Sequence, residues 1–164
     1  MGVKVRALRA DDRPAAGEAL VACGAFTDEE VRVALEVLDA AASGGADGDY
    51  PSFVAEVDGR FAGYVCVGPT PLTVGTWHLY WICVHPEAQR LGVGRALQAH
   101  VEDFVRGRGG ERLVLETSAS TVYTRARAFY AQAGYAIVGR IPDFYRTGED
   151  CVVYCRALAV ETAP

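Results

Sequence analysis

Lysine is nearly missing from this chain. Lys4 is the single one among 16 basic residues, so arginine carries almost all of the positive charge. That skew reads as genomic codon bias, although arginine also suits bidentate contacts to anions. Basic excess is missing too: the formal net charge of −5 argues against a nucleic-acid surface. No apolar run is long enough to cross a bilayer, and the start of the chain lacks a signal-peptide pattern. These absences imply a cytoplasmic protein with no membrane partner. None of the five cysteines (Cys23, Cys66, Cys83, Cys151, Cys155) falls in a Cys-x-x-Cys pair, and their number is odd. Each has apolar neighbours, which points to buried, reduced thiols. On a strand, Cys151, Val153 and Cys155 would share one face, but no matching His or Cys pair completes a zinc set, so no metal site is expected. Repeats, linkers and low-complexity stretches are also missing. With 164 residues, half of them apolar, the expectation is a single domain over 1–164 with a substantial core.

What is present is organised around Thr76 to Val105. A dense apolar run, Trp77-His78-Leu79-Tyr80-Trp81-Ile82-Cys83-Val84, is closed by His85-Pro86. Gln89-Arg90-Leu91-Gly92-Val93-Gly94-Arg95 follows, and then an amphipathic helical pattern. A buried strand, a tight turn and a glycine-rich helix start form an anion-binding device. Glycines let backbone approach a ligand without Cβ obstruction, and the first amides of a helix point outward at the positive end of its dipole. A Walker loop would need Gly-Lys-Ser/Thr, and a dinucleotide fingerprint would need three glycines; the pattern here is Gln-x-x-Gly-x-Gly.

The remaining chain fills in around this stretch. Val3–Arg6 alternates as a first strand. Pro14 sits in the first turn of a helix lined by Ala16, Leu20 and Cys23 and ended by Gly24. Thr27 and Glu30 form a capping box before Val31, Leu35, Leu38 and Ala42. Phe53–Val57 and Phe61–Val67 flank Asp58-Gly59, a type I′ hairpin signal. After the glycine loop, Val93, Leu97, Val101 and Phe104 recur at helical spacing. Leu113–Thr117 is a buried-looking strand, and Tyr123, Ala126, Phe129, Tyr130 and Ala133 mark a helix capped by Gly134. Tyr135–Gly139 and Cys151–Cys155 read as the last strands. The order β-α-α-β-β-β-α-β-α-β-β predicts an α/β (α+β) fold whose mixed, mostly antiparallel sheet has about six or seven strands flanked by about four helices.

The block from Ile82 to Arg95 resembles the acetyl-CoA signature of the GNAT N-acetyltransferase superfamily. Ala-x-x-Phe-Tyr-x-x-x-Gly-Tyr, ending at Tyr135, resembles its second signature. The likeness covers most of the chain, is weakest before residue 50, and is nearest to the ribosomal-protein alanine N-acetyltransferase branch. It implies the GNAT fold, acetyl-CoA as acetyl donor and an amine as acceptor. Ile82, Cys83 and Val84 would face the pantetheine arm, Arg90, Leu91, Gly92, Val93, Gly94 and Arg95 would hold the pyrophosphate, and Gln89 would join the cofactor-binding residues. The acceptor would be a small molecule, a protein N-terminus or a lysine. A homodimer is common in the family, and a sheet edge at the last strand could pair between chains.

Acyl transfer to an amine needs a neutral nucleophile, a stabilised oxyanion and a leaving thiolate that is preferably protonated. The resemblance makes Tyr130 the general acid toward the departing sulfur. Glu116, at the end of its strand, matches that branch's base, although the spacing from Glu116 to Tyr130 is longer here. His78 is the rival base, since an imidazole titrating near neutrality can accept an amine proton. Where the branch carries a cofactor-contacting asparagine, this chain has Tyr123, so the hydroxyl of Tyr123, Thr121 or Thr124 would take its place. Asp143-Phe144-Tyr145 followed by Gly148-Glu149-Asp150 resembles that branch's loop between the last two strands, which borders the acceptor site and whose acids could attract a cationic amine. A non-catalytic acetyl-CoA-binding or protein-interaction domain on the same fold is the competing reading.

Overall fold

The computed structural model describes residues 2–159. Its strands are β1 (Val3–Ala7), β2 (Ser52–Val57), β3 (Arg60–Pro69), β4 (Thr76–Val84), β5 (Arg112–Ser118), β6 (Ala136–Arg146) and β7 (Glu149–Ala157). Its α-helices are α1 (Arg13–Ala22), α2 (Asp28–Gly44), α3 (Val93–Gly107) and α4 (Thr124–Gln132). The seven strands form one sheet in the order β1-β2-β3-β4-β5-β7-β6. The β4–β5 pair is parallel, whereas β1–β2, β2–β3, β5–β7 and β6–β7 are antiparallel. The chain between β4 and β5 runs through α3, the kind of long connection that a parallel pair requires.

Internal contacts divide the chain into two compact units. One runs to Gly68 and includes Leu79–Phe104; the other comprises Pro69–His78 and residues from Val105 on. Strand β4 therefore contributes its first three residues to the second unit and the rest to the first.

In the first unit, local chemistry fixes the elements. Thr27 accepts the Glu30 amide at 3.2 Å, and the Glu30 carboxylate accepts the Thr27 amide at 2.7 Å, so the expected capping box starts α2. Asp58 (φ 50°) and Gly59 (φ 75°) both adopt the left-handed conformation that a type I′ turn demands. Ala16, Ala19 and Leu20 of α1 and Ala34 and Leu38 of α2 bury against Val54, Tyr64 and Cys83. Small residues dominate the α1 face, which lets the helix lie close to its neighbours. Arg6 ties β1 inward through Asp12 at 2.7 Å and Glu56 at 2.7 Å.

In the second unit, β5 pairs along its whole length with β7, from Arg112–Ala157 to Ser118–Cys151. Leu113 and Leu115 are fully buried there. The expected loop between the last two strands is instead mostly strand. β6 continues to Arg146, and the hairpin turns only at Thr147-Gly148, where Gly148 has φ 83°. The longer strand was obscured because Pro142 and Asp143 interrupt the alternation. Both lie in an irregularity of the β6–β7 pairing between Ile141 and Arg146, and Asp143 has φ 52°.

Tyr64 is 1 % exposed, and its hydroxyl has no hydrogen-bond partner among the described residues. A buried hydroxyl without a partner costs about 1–3 kcal/mol. Tyr64→Phe should therefore leave the thermal midpoint unchanged or raise it, with a gain of at most ~1–2 kcal/mol. A clear loss of stability in a chemical denaturation series would show that the hydroxyl is satisfied.

Candidate active site

Strand β4 ends at Val84, and His85 starts a single 3-10 turn over Pro86–Ala88, its Nδ1 accepting the Glu87 amide at 3.3 Å. The chain then reverses through Gln89–Gly92. Arg90 (φ 67°) and Gly92 (φ 82°) are both left-handed, with Leu91 between them. Such alternation turns successive amides toward one side, the arrangement that makes a concave anion nest. Gly92 closes the loop: its carbonyl accepts the Ala96 amide at 2.9 Å, so it is the residue before the first turn of α3. The amides of Val93, Gly94 and Arg95 then occupy the first turn, where no intrahelical acceptor exists. A Cβ on Gly92 would meet nothing within 4 Å, so the loop is open on that side.

The side chains around this loop divide by burial. Arg90, Leu91 and Arg95 are exposed, Ile82, Val84, Gln89 and Gly94 are intermediate, and Cys83 and Val93 are buried. Val93 and Cys83 can therefore offer a ligand only backbone. Gly63 on β3, a position sequence reading passed over, explains how they are placed. A Cβ there would sit 2.5 Å from the Cys83 carbonyl oxygen, 3.1 Å from Val84 Cα and 3.3 Å from Val93 Cγ1. The end of β4 and the start of α3 thus both press on a position that tolerates no side chain.

The proposed acid and base residues lie in the second unit. His78 pairs in register with Val114, and Glu116 follows two residues on, so His78 and Glu116 lie on the same face of two adjacent strands. Burial holds the His78 imidazole below its ordinary titration range, and the Glu116 carboxylate pulls the other way. Glu116 is exposed, and no hydrogen bond or ion pair occupies its carboxylate among the described residues. The β5 end behind it is firmly tied. Arg127 donates to the carbonyls of Ser118 (2.7 Å) and Ser120 (2.8 Å), Ser118 donates to Glu149 (2.6 Å), and the Ala119 amide donates to the Asp150 carbonyl (2.9 Å).

Tyr130 is 7 % exposed on α4, with its ring centroid 5.7 Å from those of Phe129, Tyr135 and Tyr154. Burial, with smaller contributions from Tyr123 and Tyr154, pushes its phenol above the ordinary tyrosine range. Tyr123 is half-buried at the end of the 3-10 turn that leads into α4. Tyr145 on β6 was expected only as part of a bordering loop, yet it reaches electrostatically to both Glu116 and Tyr123. Its hydroxyl donates to Cys151 Sγ at 3.9 Å, and burial raises its phenol as well. Its position could not be found from sequence because it depends on the extra length of β6.

The acids of the β6–β7 hairpin are otherwise engaged. Asp150 accepts from Arg140 Nε (2.7 Å) and from the Asp143 amide (3.0 Å), Asp143 accepts the Gly148 amide (2.6 Å), and Glu149 pairs with Arg146 (2.7 Å). They hold the hairpin rather than standing free for a cationic amine. No cluster of three metal-ligating side chains occurs among the described residues, and no helix there is long and apolar enough to cross a membrane.

The model of the acetyltransferase (GNAT) family matches residues 13–135. The chain belongs to the GNAT acetyltransferase family. A GNAT-family protein from Desulfovibrio desulfuricans is 40 % identical in sequence, with a TM-score of 0.91 over 96 % of this chain and 100 % of that one. The ribosomal-protein-S18-alanine N-acetyltransferase from Escherichia coli is 26 % identical, with a TM-score of 0.74 over 99 % of both chains. An uncharacterized N-acetyltransferase of Methanocaldococcus jannaschii is 34 % identical over 107 residues, and that match spans 63 % of this chain and 65 % of the archaeal protein. The seven-stranded mixed sheet with four helices is the GNAT fold.

Two measurements test this geometry. Gly63→Ala forces a Cβ into the Cys83 carbonyl and should cost roughly 2–3 kcal/mol by denaturant unfolding, in the range of overpacked cores; unchanged stability would mean that the approach is loose. His78 should titrate below about 6.5 by NMR. Since its folded value lies below its unfolded one, the native state loses stability as pH falls through about 6.5, and His100, lowered by burial against the pull of Asp103, adds to the same slope. Glu116→Gln should lower the His78 value further.

Proposed function

We propose that this GNAT protein transfers an acetyl group from acetyl-CoA directly to a primary amine, with Tyr130 as general acid and Glu116 or His78 as base. We take 1–164 as one catalytic domain. The turn from Arg90 to Gly92, which leads unpartnered amides into α3, carries the donor half of the reading. Amides of Gly92, Val93, Gly94 and Arg95 suit a diphosphate, and the exposed Arg90 and Arg95 add charge. Gln89 and Leu91 border the same turn, and backbone of Ile82, Cys83 and Val84 offers an extended edge to the pantetheine arm. Tyr123 would supply the hydroxyl that the related branch takes from asparagine.

In the transfer step the amine nitrogen forms a bond to the thioester carbonyl carbon, and the carbon–sulfur bond breaks. The base accepts the ammonium proton, directly or through water, and the nitrogen releases its second proton to solvent as the tetrahedral adduct collapses. Tyr130, held protonated by burial, donates toward the leaving sulfur and regains its proton from solvent. Glu116 supports the base role because its carboxylate is exposed and unengaged. His78 supports it because burial keeps the imidazole neutral and able to accept a proton.

The acceptor is a small amine, a protein N-terminus or a lysine. The E. coli relative, named for a ribosomal-protein alanine, favours a protein N-terminus. The free thiols suit a reducing, cytoplasmic setting. A homodimer would use β6 rather than the last strand: β7 is paired on both sides, by β5 and β6, whereas β6 is an edge on which Ile137, Val138, Ile141 and Phe144 are exposed.

Release of coenzyme A thiol from acetyl-CoA, screened against amines, amino acids and N-terminal peptides, tests the reading. Turnover with at least one amine is expected; binding of acetyl-CoA without turnover on any amine would favour a non-catalytic module. Tyr130→Phe should lower kcat by ~10²-fold or more. Of Glu116→Gln and His78→Ala, the change at the true base should lose ~10²–10⁴-fold in kcat and the other far less.

A further inference from the structure

Cys23 caps the C-terminus of α1, and Cys83 lies on β4, sixty residues away in sequence. Their Sγ atoms are 3.2 Å apart, closer than two non-bonded sulfurs ordinarily come. Cys23 Sγ also donates to the Val84 carbonyl at 3.4 Å. With the Cys23 proton directed at that carbonyl, the Cys83 thiol is the donor between the two sulfurs. Further observations separate this pair from Cys66 and Cys151, while Cys155, also half-buried, is set apart by taking no part in the sulfur–sulfur contact. Cys23 is half-buried and so reachable from solvent, whereas Cys83 is 3 % exposed. The hydrogen bond from Cys83 holds the Cys23 thiol below its ordinary range despite burial, and the same bond pushes Cys83 up. Cys66, 1 % exposed, is pushed up to about 11 by burial, and the fully buried Cys151 is also raised by burial.

We propose that Cys23 and Cys83 form a redox-active dithiol that closes to an intramolecular disulfide by exchange with a low-molecular-weight disulfide. Cys23, as thiolate, attacks one sulfur of the small disulfide. A mixed disulfide forms on Cys23, the small molecule's own S–S bond breaks, and one small thiol leaves. Cys83, having lost its proton to solvent, then attacks Cys23 Sγ and expels the second small thiol. The protein loses two electrons and two protons, and the oxidant is reduced to two thiols. On the donor-binding role proposed above, on which this consequence rests, the bond ties the end of α1 to the strand that receives pantetheine. It also withdraws the S–H donor from the Val84 carbonyl, and coenzyme A binding weakens.

The test uses the full chain, reduced and then incubated natively with oxidised glutathione. The expected product is lighter by the mass of two hydrogens, and a non-reducing peptide map joins the segments holding Cys23 and Cys83. Three of the five thiols stay titratable in denaturant, and dithiothreitol restores all five. Cys23→Ser should prevent the loss, and Cys83→Ser should stop the reaction at a glutathione adduct on Cys23. Five unchanged thiols, a stable adduct on Cys23 in the unaltered chain, or linkage through other cysteines would overturn the assignment. The coenzyme A dissociation constant of the oxidised form should rise several-fold. An unchanged constant for a proven Cys23–Cys83 disulfide would refute the consequence and leave the dithiol standing, whereas loss of binding in the reduced protein too would refute the donor role instead.

Discussion

At Gly63, strand β3 has no side chain, and the first unit is arranged around that gap. The Cys83 carbonyl, the Val84 Cα and the Val93 side chain all crowd the place where a Cβ would stand. Next to it, Ala55 pairs with Gly63 and Glu56 with Phe61, so Ala62 is the extra residue of a bulge, and its carbonyl accepts the His85 amide at 2.8 Å. A bulge twists and bends its strand. Here it accompanies the point at which β4 stops and the chain turns toward Gln89. The two left-handed residues of that turn and the buried Val93 then set where α3 begins. An anion site made of amides depends on backbone position alone, so the steric constraint at Gly63 is also a constraint on whatever the loop binds.

In the second unit the decisive matter is which charges are already engaged. The hairpin joining β6 and β7 carries three acids, and each is consumed locally by a backbone amide or an arginine. Exposed ion pairs of this kind add little stability by themselves. Their larger effect is to hold the hairpin in shape, which places Tyr145 where it reaches Glu116 and Tyr123. Glu116 lies outside that network. The hairpin acids are thus satisfied locally, whereas the Glu116 carboxylate stays exposed.

Much of this was legible in the sequence because the signals were local. The Thr27–Glu30 box, the Asp58-Gly59 turn and the Gly92 helix start each follow from the chemistry of a few neighbouring residues, and the structure bears out all three. The element order and the mixed sheet followed from periodicity. The length of β6 did not, because Pro142 and Asp143 break the alternation that marks a strand, and β6 runs through them as an irregularity between its pairs at Ile141 and Arg146. Gly63 read as an ordinary glycine within a strand, since what makes it necessary is backbone some twenty residues later. The Cys23–Cys83 contact was out of reach for the same reason: sequence placed both thiols in apolar surroundings and could not say that they meet.

The tyrosines sharpen the division of roles. Burial raises the phenols of both Tyr130 and Tyr145, and the Glu116 carboxylate further opposes ionisation of Tyr145. A phenol held protonated can donate a hydrogen bond or a proton, but it cannot deprotonate an ammonium group near neutrality. In the proposed transfer this leaves tyrosine only the acid side. The proposed base side then rests on Glu116 and His78, which share one face of β5 and β4. These two are not independent: the carboxylate raises the imidazole's proton affinity while burial lowers it. Removing Glu116 therefore also changes His78, so the effect of Glu116→Gln includes a lowered imidazole affinity for protons.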